Sequence, residues 1–183
     1  MRLFVLAATA AFVAFATLAQ AQPSTAASTL ATKASSADRN FATKAAAAGT
    51  AEIADAQLAL KNSSRQDVKN FAQRMVDDHT KVADQLKSIA TSKGITLPGG
   101  ESAADKKNTD SLQKLNGVAF DQKYIQGQRT AHKQAVSLFA GESKSGKDTE
   151  LKAFATQTLP TLQDHLKMIT AMPLGQKSSS ITP

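Results

Sequence analysis

The sequence predicts an all-α fold, because its apolar residues recur at the spacing of a helix face and not in the alternation of a strand. Four long stretches carry an apolar residue at every third or fourth position. These stretches are flanked by residues of the types that commonly begin or end helices, such as Asp38 before the first stretch and Gly94 after the second. The first and second stretches are joined by a short connection, and so are the third and fourth. The connection between the second and third stretches is long.

The first residues have the three parts of a secretory signal peptide. Arg2 supplies the basic part, residues 3–18 are uncharged and apolar, and Ala19 to Ala21 form a small-x-small cleavage site. The apolar part is shorter than the roughly 20 residues that a membrane-spanning helix needs. We therefore predict that residues 1–21 are removed on export to the periplasm, with an uncleaved anchor as the alternative.

Composition narrows the classes of function. The 183 residues include 22 basic and 15 acidic side chains and no cysteine, for a net charge of +7. Without cysteine the chain has no disulfide, no cysteine-linked lipid anchor and no thiolate metal ligand. The basic residues are spread over every predicted helix, whereas nucleic-acid binding requires a concentrated basic stripe. We expect no nucleic-acid partner, which leaves an envelope protein or a membrane surface as candidate partners.

Segments of low complexity flank the predicted domain. Residues 22–36 are rich in Ala, Ser and Thr, and we predict a disordered leader there. Residues 173–183 contain three consecutive serines and are predicted to form a disordered tail. The folded domain is therefore predicted over residues 37–172, which is long enough for one hydrophobic core.

The first two helices are predicted to form an antiparallel hairpin. Helix one is expected to begin at Asp38, a favourable N-cap residue, and to end near Asn62. Helix two is expected from about Ser64 to Lys93, where Gly94 ends it. Apolar residues in helix two alternate at spacings of four and three, which gives one continuous buried face.

The second half of the chain predicts a short helix and another hairpin. The short helix is expected over residues 103–115, and helix three over residues 120–142. Asp148 or Thr149 is the expected N-cap of helix four. Pro160 lies inside helix four and is expected to kink it, because proline has no N–H to donate to the carbonyl four residues earlier.

The lengths of the connections predict how the helices are arranged. Helix two is about 45 Å long at 1.5 Å per residue. The connection from Gly94 to Phe120, about 27 residues, is long enough to return along that length. Two antiparallel hairpins joined by one long crossover are the ferritin-like arrangement. The predicted architecture is therefore a ferritin-like four-helix bundle with a short helix in its crossover.

Four polar residues interrupt the apolar faces, one on each long helix, and they include all three histidines of the chain. One carboxylate and three imidazoles inside a bundle suit a divalent transition metal such as zinc, copper or iron. We therefore predict a single metal site. Its residues are Glu52, His79, His132 and His165.

The same four residues have a second interpretation. Ferritin-like di-iron sites use Glu-x-x-His pairs, but Val76, Arg129 and Leu162 stand three residues before the histidines. A dinuclear oxidase is therefore not expected. The four groups are alternatively a hydrogen-bonded network that sets helix register without a metal. Counting from the turns also allows His79 and His165 to differ in height by about 12 Å.

Several segments carry a family resemblance. The most specific are Met75–His79 and Phe120–Tyr124, and Leu159-Pro160 with His165 extends the pattern, which covers about residues 38–172. In these segments the chain resembles a family of exported bacterial proteins known as domain of unknown function 4142. The resemblance implies a periplasmic helical bundle and implies no established activity.

The preferred interpretation is a non-enzymatic, exported protein of the cell envelope that binds a transition metal, with a role in metal handling or stress tolerance. A mononuclear metal enzyme built on Glu52 and the histidines is one alternative. A structural module that presents its outer helix faces to a partner, and holds no metal, is the other.

Overall fold

The computed structural model describes residues 34–175. This part of the chain forms five α-helices, and no strand occurs within it: α1 (Ser36–Asn62), α2 (Gln66–Ser92), α3 (Ala103–Leu112), α4 (Gly117–Ser145) and α5 (Thr149–Ala171). The all-α prediction is confirmed. None of these five helices combines the length and apolarity needed to cross a membrane. The predicted signal peptide, and most of the predicted leader and tail, lie outside the described residues.

The helices pack as two hairpins, α1 with α2 and α4 with α5. The start of α1, the end of α2, the end of α4 and the start of α5 share one apolar cluster. Helices α2 and α4 therefore run in the same direction. The segment that contains α3 carries the chain back along the bundle, and α3 packs against α1 and α4. The two hairpins and the crossover agree with the argument from connection lengths, while the ferritin-like class itself stays a prediction.

The N-terminus of α1 differs from the expectation. The prediction that Asp38 is the N-cap is wrong, because Ser35 takes that position and the helix begins at Ser36. The Ser35 hydroxyl accepts from the Asp38 backbone N–H at 3.2 Å, and the Asp38 carboxylate accepts from the Ser35 N–H at 2.8 Å. This capping box satisfies two N–H groups at once, the Asp38 N–H and the Ser35 N–H.

Helices α3 and α4 also differ from the expectation, since α3 ends at Leu112 instead of residue 115 and α4 spans Gly117–Ser145 instead of residues 120–142. The end of α2 and the start of α5 agree with it. Gly94 follows α2 with a φ of 60°, and the Ile95 N–H donates to the carbonyl of Ala90 at 2.8 Å. This is the left-handed helix end for which glycine is suited, because it has no Cβ to clash. Asp148 caps α5, as expected. Helix α5 continues through Pro160, and the kink expected there stays a prediction.

The apolar core consists of two clusters, one near each end of the bundle. At one end Phe41 packs edge-on against Phe139 and Phe154, with ring centroids 5.0 and 6.3 Å apart. At the other end Phe120 stacks on Tyr124 at 5.8 Å. On each long helix, the residues of the two clusters are separated by an interval with polar side chains. The predicted metal residues lie in that interval.

A separate polar cluster lies at the end of the bundle where α1 begins. The Lys147 N–H donates to Asp38 at 2.9 Å, and the Lys93 ammonium pairs with Asp148 at 2.8 Å. Glu142 belongs to this cluster and is 7% exposed, and its Oε1 has no hydrogen-bond partner. Burial, and then the negative charge of Asp38, raise the pKa of Glu142 to about 7.

We expect Glu142→Gln to stabilise the protein at about pH 8 and to change little at about pH 4.5. Between the unfolded pKa of 4.5 and the folded pKa of about 7, the folded chain keeps a proton that the unfolded chain has released. Wild-type stability therefore falls as pH rises through this window, and the amide removes that loss, which is of the order of 1–3 kcal/mol. Urea unfolding of both proteins at the two pH values measures it.

The exposed acid Asp84 offers the control, because Asp84→Asn removes a charge without removing a buried carboxyl. An equal difference between Glu142→Gln and wild type at both pH values would show that Glu142 does not titrate in this window.

Candidate metal centre

His79, His132 and His165 meet in the middle of the bundle, between the two apolar clusters. Their ring centroids are 5.8 Å apart for His79 and His132, and 5.5 Å apart for each of the other two pairs. One ring nitrogen from each histidine lies within 4.8 Å of the others. All three side chains are at most 4% exposed. The difference in height that residue counting allowed for His79 and His165 does not occur.

Each histidine has one ring nitrogen in contact with an oxygen of the protein. Such contacts set the tautomer and orientation of an imidazole, and they are the usual surroundings of histidines that bind metals. The contacts are His79 Nδ1 with Glu52 Oε2 at 3.1 Å, His132 Nδ1 with the Gln128 carbonyl at 3.0 Å, and His165 Nε2 with Asp78 Oδ2 at 2.9 Å.

The other ring nitrogen of each histidine is buried and has no protein partner: His79 Nε2, His132 Nε2 and His165 Nδ1. A buried polar atom without a partner costs about 1–3 kcal/mol, so native proteins rarely keep three together. In His132 and His165 the partnered nitrogen carries the proton, because a carbonyl or carboxylate oxygen only accepts. The unpartnered nitrogens of these two rings are therefore lone pairs, as metal ligation requires.

Burial keeps the imidazoles neutral. It lowers the pKa of His79 to about 3, with the neighbouring His132 and His165 adding to the effect. It lowers the pKa of His132 to about 4, again with His165 contributing. The pKa of His165 is also lowered by burial, although its hydrogen bond to Asp78 opposes the shift. Neutral imidazole is the form that binds metals, so all three rings are competent ligands at neutral pH.

The sequence profile described as domain of unknown function, DUF4142, matches residues 19–172. The chain belongs to the DUF4142 family. The resemblance found in the sequence is thereby confirmed. No curated protein matches this DUF4142 chain.

Two solved structures share the fold of this DUF4142 protein. A DUF305 fragment from Deinococcus radiodurans superposes with a TM-score of 0.66 at 13% identity, over 75% of this chain and 95% of the other. CopM in its Cu(I)-bound form superposes with a TM-score of 0.61 at 15% identity, over 73% of this chain and 92% of the other. At these identities the likeness concerns the fold alone.

Glu52, the carboxylate of the predicted site, lies beside the histidines of the DUF4142 chain. Its Oε2 contacts His79 Nδ1, and its Oε1 lies 3.5 Å from His132 Nδ1 without a hydrogen bond. Burial raises the pKa of Glu52 to about 8, and the charges of Asp55 and Asp105 add to the effect. With this pKa Glu52 is mostly protonated at neutral pH. Once it is ionised it accepts from His79 Nδ1, which leaves His79 Nε2 as a lone pair like those of the other two rings.

The structure thus brings all four predicted residues together and adds two partners that the sequence did not assign to particular histidines. Asp78 is adjacent to His79 in sequence but contacts His165 of another helix. Gln128 reaches His132 through its main-chain carbonyl, for which no side-chain pattern gives a signal. The pairing of Arg74 with Asp78 at 3.3 Å, four residues apart on α2, is the one local sign that Asp78 is held in place.

Proposed function

We propose that the protein binds one divalent transition-metal ion through His79, His132 and His165. The observation that carries the proposal is the set of three buried ring nitrogens that lack protein partners while the opposite nitrogen of each ring is held by oxygen. Glu52 and Asp78 would orient two of the rings, and Asp78, together with Glu52 once it has released its proton, would supply negative charge against that of the ion.

The donor set supports particular metals. Imidazole suits zinc, copper and iron, and the general order of affinity places Cu²⁺ above Zn²⁺ and Fe²⁺. CopM, a protein of similar fold, is described in a Cu(I)-bound form. From the order of affinity we propose Cu²⁺ as the ion that this centre binds most tightly.

The proposed setting is the periplasm, because residues 1–21 have the pattern of an export signal. A buried three-histidine centre in an exported domain supports a role in binding or carrying metal in the cell envelope, as metal handling or tolerance of metal stress.

A mononuclear metal enzyme is the second candidate, and one observation favours it. Three protein ligands leave the fourth position of a tetrahedral ion open, as in catalytic zinc sites. A groove of about 1320 Å³ is lined by Glu52 and His79, so a small molecule has a path towards that position. Turnover of peroxide or superoxide by the metal-loaded protein would separate an enzyme from a carrier.

The test of metal binding is stoichiometry and affinity in wild type and Glu52→Gln. We expect wild type, dialysed against Cu²⁺ or Zn²⁺ and analysed by plasma mass spectrometry, to retain about one ion per chain. Glu52→Gln is expected to bind the ion about 10- to 100-fold more weakly. The reason is that the neutral amide oxygen accepts a weaker hydrogen bond from His79 than an ionised carboxylate does.

Asp164→Asn is the matched control, since it removes one negative charge next to His165 in sequence but on the exposed face of α5. We expect it to bind as wild type does. A wild-type protein that retains no ion would exclude both metal functions and leave the structural module.

A further inference from the structure

The groove that reaches the candidate centre is lined by residues of α1, α2, α3 and α4. Along α1 it is lined by small residues over the range 45–49, which leave room between this helix and α4. Its lining includes both Glu52 and His79, each of which is only 4% exposed. The groove therefore connects solvent to side chains that are otherwise buried.

Two further carboxylates line the same groove, Asp55 on α1 and Asp105 on α3. Asp55 follows Glu52 by three residues, an axial rise of about 4.5 Å. The Thr109 hydroxyl donates to Asp55 Oδ1 at 2.7 Å and so ties α3 to α1 at this point. Both side chains are partly exposed, so they are accessible to a cation from solvent.

Three exposed lysines also line the groove: Lys44, Lys87 and Lys123. Lys44 precedes Glu52 by eight residues and Lys87 follows His79 by eight, an axial distance of about 12 Å in each case. This exceeds the screening length of about 8 Å at physiological ionic strength. Along α1, Asp55 therefore lies nearer in height to Glu52 than Lys44 does, although the chain as a whole carries a charge of +7.

The inner end of the groove carries a separate sign of a ligand. Glu52 Oε1 and His79 Nε2 are buried and have no hydrogen-bond partner. An acidic surface alone would not require unpartnered polar atoms beneath it. The carboxylates in the groove and the unpartnered polar atoms at its inner end are together consistent with a path for a cation.

We propose that this groove is the route by which the metal ion reaches the histidines, with Asp55 and Asp105 as a transient carboxylate site at its mouth. The proposal rests on the metal binding proposed above. Carboxylates raise the local concentration of a cation and hence its rate of association. Because these two residues meet the ion only in passing, they affect the rates of loading and release more than the equilibrium.

The charge test compares the rate of Co²⁺ uptake, followed by its visible absorption in stopped flow. We expect Asp55→Asn/Asp105→Asn to load about tenfold more slowly than wild type and to show a weaker dependence on salt. Release to a chelator should slow as well, so that the dissociation constant changes less than the loading rate. Asp77→Asn/Asp84→Asn is the matched control, because it removes two exposed charges from α2 outside the groove.

A steric test does not depend on charge. Gly49 lines the groove, and a Cβ at this position meets no atom within 4 Å. We therefore expect Gly49→Leu to be tolerated and to narrow the path one turn from Glu52. Gly141→Leu on α4 is the control, since Gly141 also has open space around it but does not line the groove. We expect Gly49→Leu, and not Gly141→Leu, to slow Co²⁺ loading at unchanged stoichiometry.

The outcomes separate the two proposals. If wild type takes up no Co²⁺ at equilibrium, the metal function itself is wrong. If wild type binds Co²⁺ and both test variants load at the rates of their controls, only the route is wrong. Loss of bound Co²⁺ from Asp55→Asn/Asp105→Asn with normal circular dichroism would also overturn the route, since it would make these carboxylates direct ligands.

Discussion

Zn²⁺ in hundredfold to thousandfold excess over its dissociation constant should raise the free energy of unfolding of chelator-treated protein by about 2.7–4.1 kcal/mol. The ion stabilises the folded state because only there does one ring nitrogen of each histidine lie within 4.8 Å of the others. For a domain of this size the melting temperature should rise by roughly 10 °C. Thermal unfolding followed by circular dichroism, with EDTA and with Zn²⁺, measures the change.

His132→Leu should abolish this rise and, in EDTA, should melt at the wild-type temperature or above it. The leucine replaces a buried nitrogen that has no partner, so the metal-free protein loses an unsatisfied group. A change that is harmless or stabilising without metal, and that removes the response to metal, is the signature of a ligand kept for function.

Met75→Leu is the control for this experiment, because Met75 is fully buried one turn before His79 and the exchange conserves volume. It should keep the full response to Zn²⁺. If neither EDTA nor Zn²⁺ changes the melting temperature of wild type while His132→Leu is strongly destabilised, the histidines form a structural network and the metal proposal is wrong.

Phe71→Ala should lower the free energy of unfolding by about 3–5 kcal/mol. Phe71 is 3% exposed and lies where one apolar cluster meets the histidines. Its ring centroid is 6.4 Å from that of Tyr124 and 6.2 Å from those of His132 and His165, all in edge-on contacts. Truncation therefore opens a cavity and also removes the surface against which two candidate ligands rest. Urea unfolding in EDTA measures the loss of stability.

Phe139→Ala provides a matched comparison at the other apolar cluster, where the ring packs on Phe41. We expect a similar loss of stability from both variants but weaker metal affinity only in Phe71→Ala, because only Phe71 contacts the histidine rings. Equal effects on affinity would mean that global stability, not the orientation of the rings, controls binding.

Helix positions followed from the sequence because they depend on local features. Gly94 ended α2 close to the predicted residue, since a left-handed helix end is a property of a few adjacent residues. The start of α1 was misplaced for an equally local reason. Ser35 and Asp38 are both good N-cap residues, and the capping box that uses both prevailed over the single cap.

The sequence by itself determined that each long helix has one of four polar residues on its buried face, because helical period is a property of one segment. Tertiary structure decided where these residues meet. Counting along separate helices allowed His79 and His165 to lie about 12 Å apart in height, whereas packing places their rings 5.5 Å apart.

The partners of the histidines were also decided by tertiary structure. Asp78 belongs to α2 but holds His165 of α5, and the groove to Glu52 exists only where α1, α2, α3 and α4 come together. The physical reason is the same in both cases: the rotation and height of one helix relative to another depend on how all their side chains pack, and no single segment contains that information.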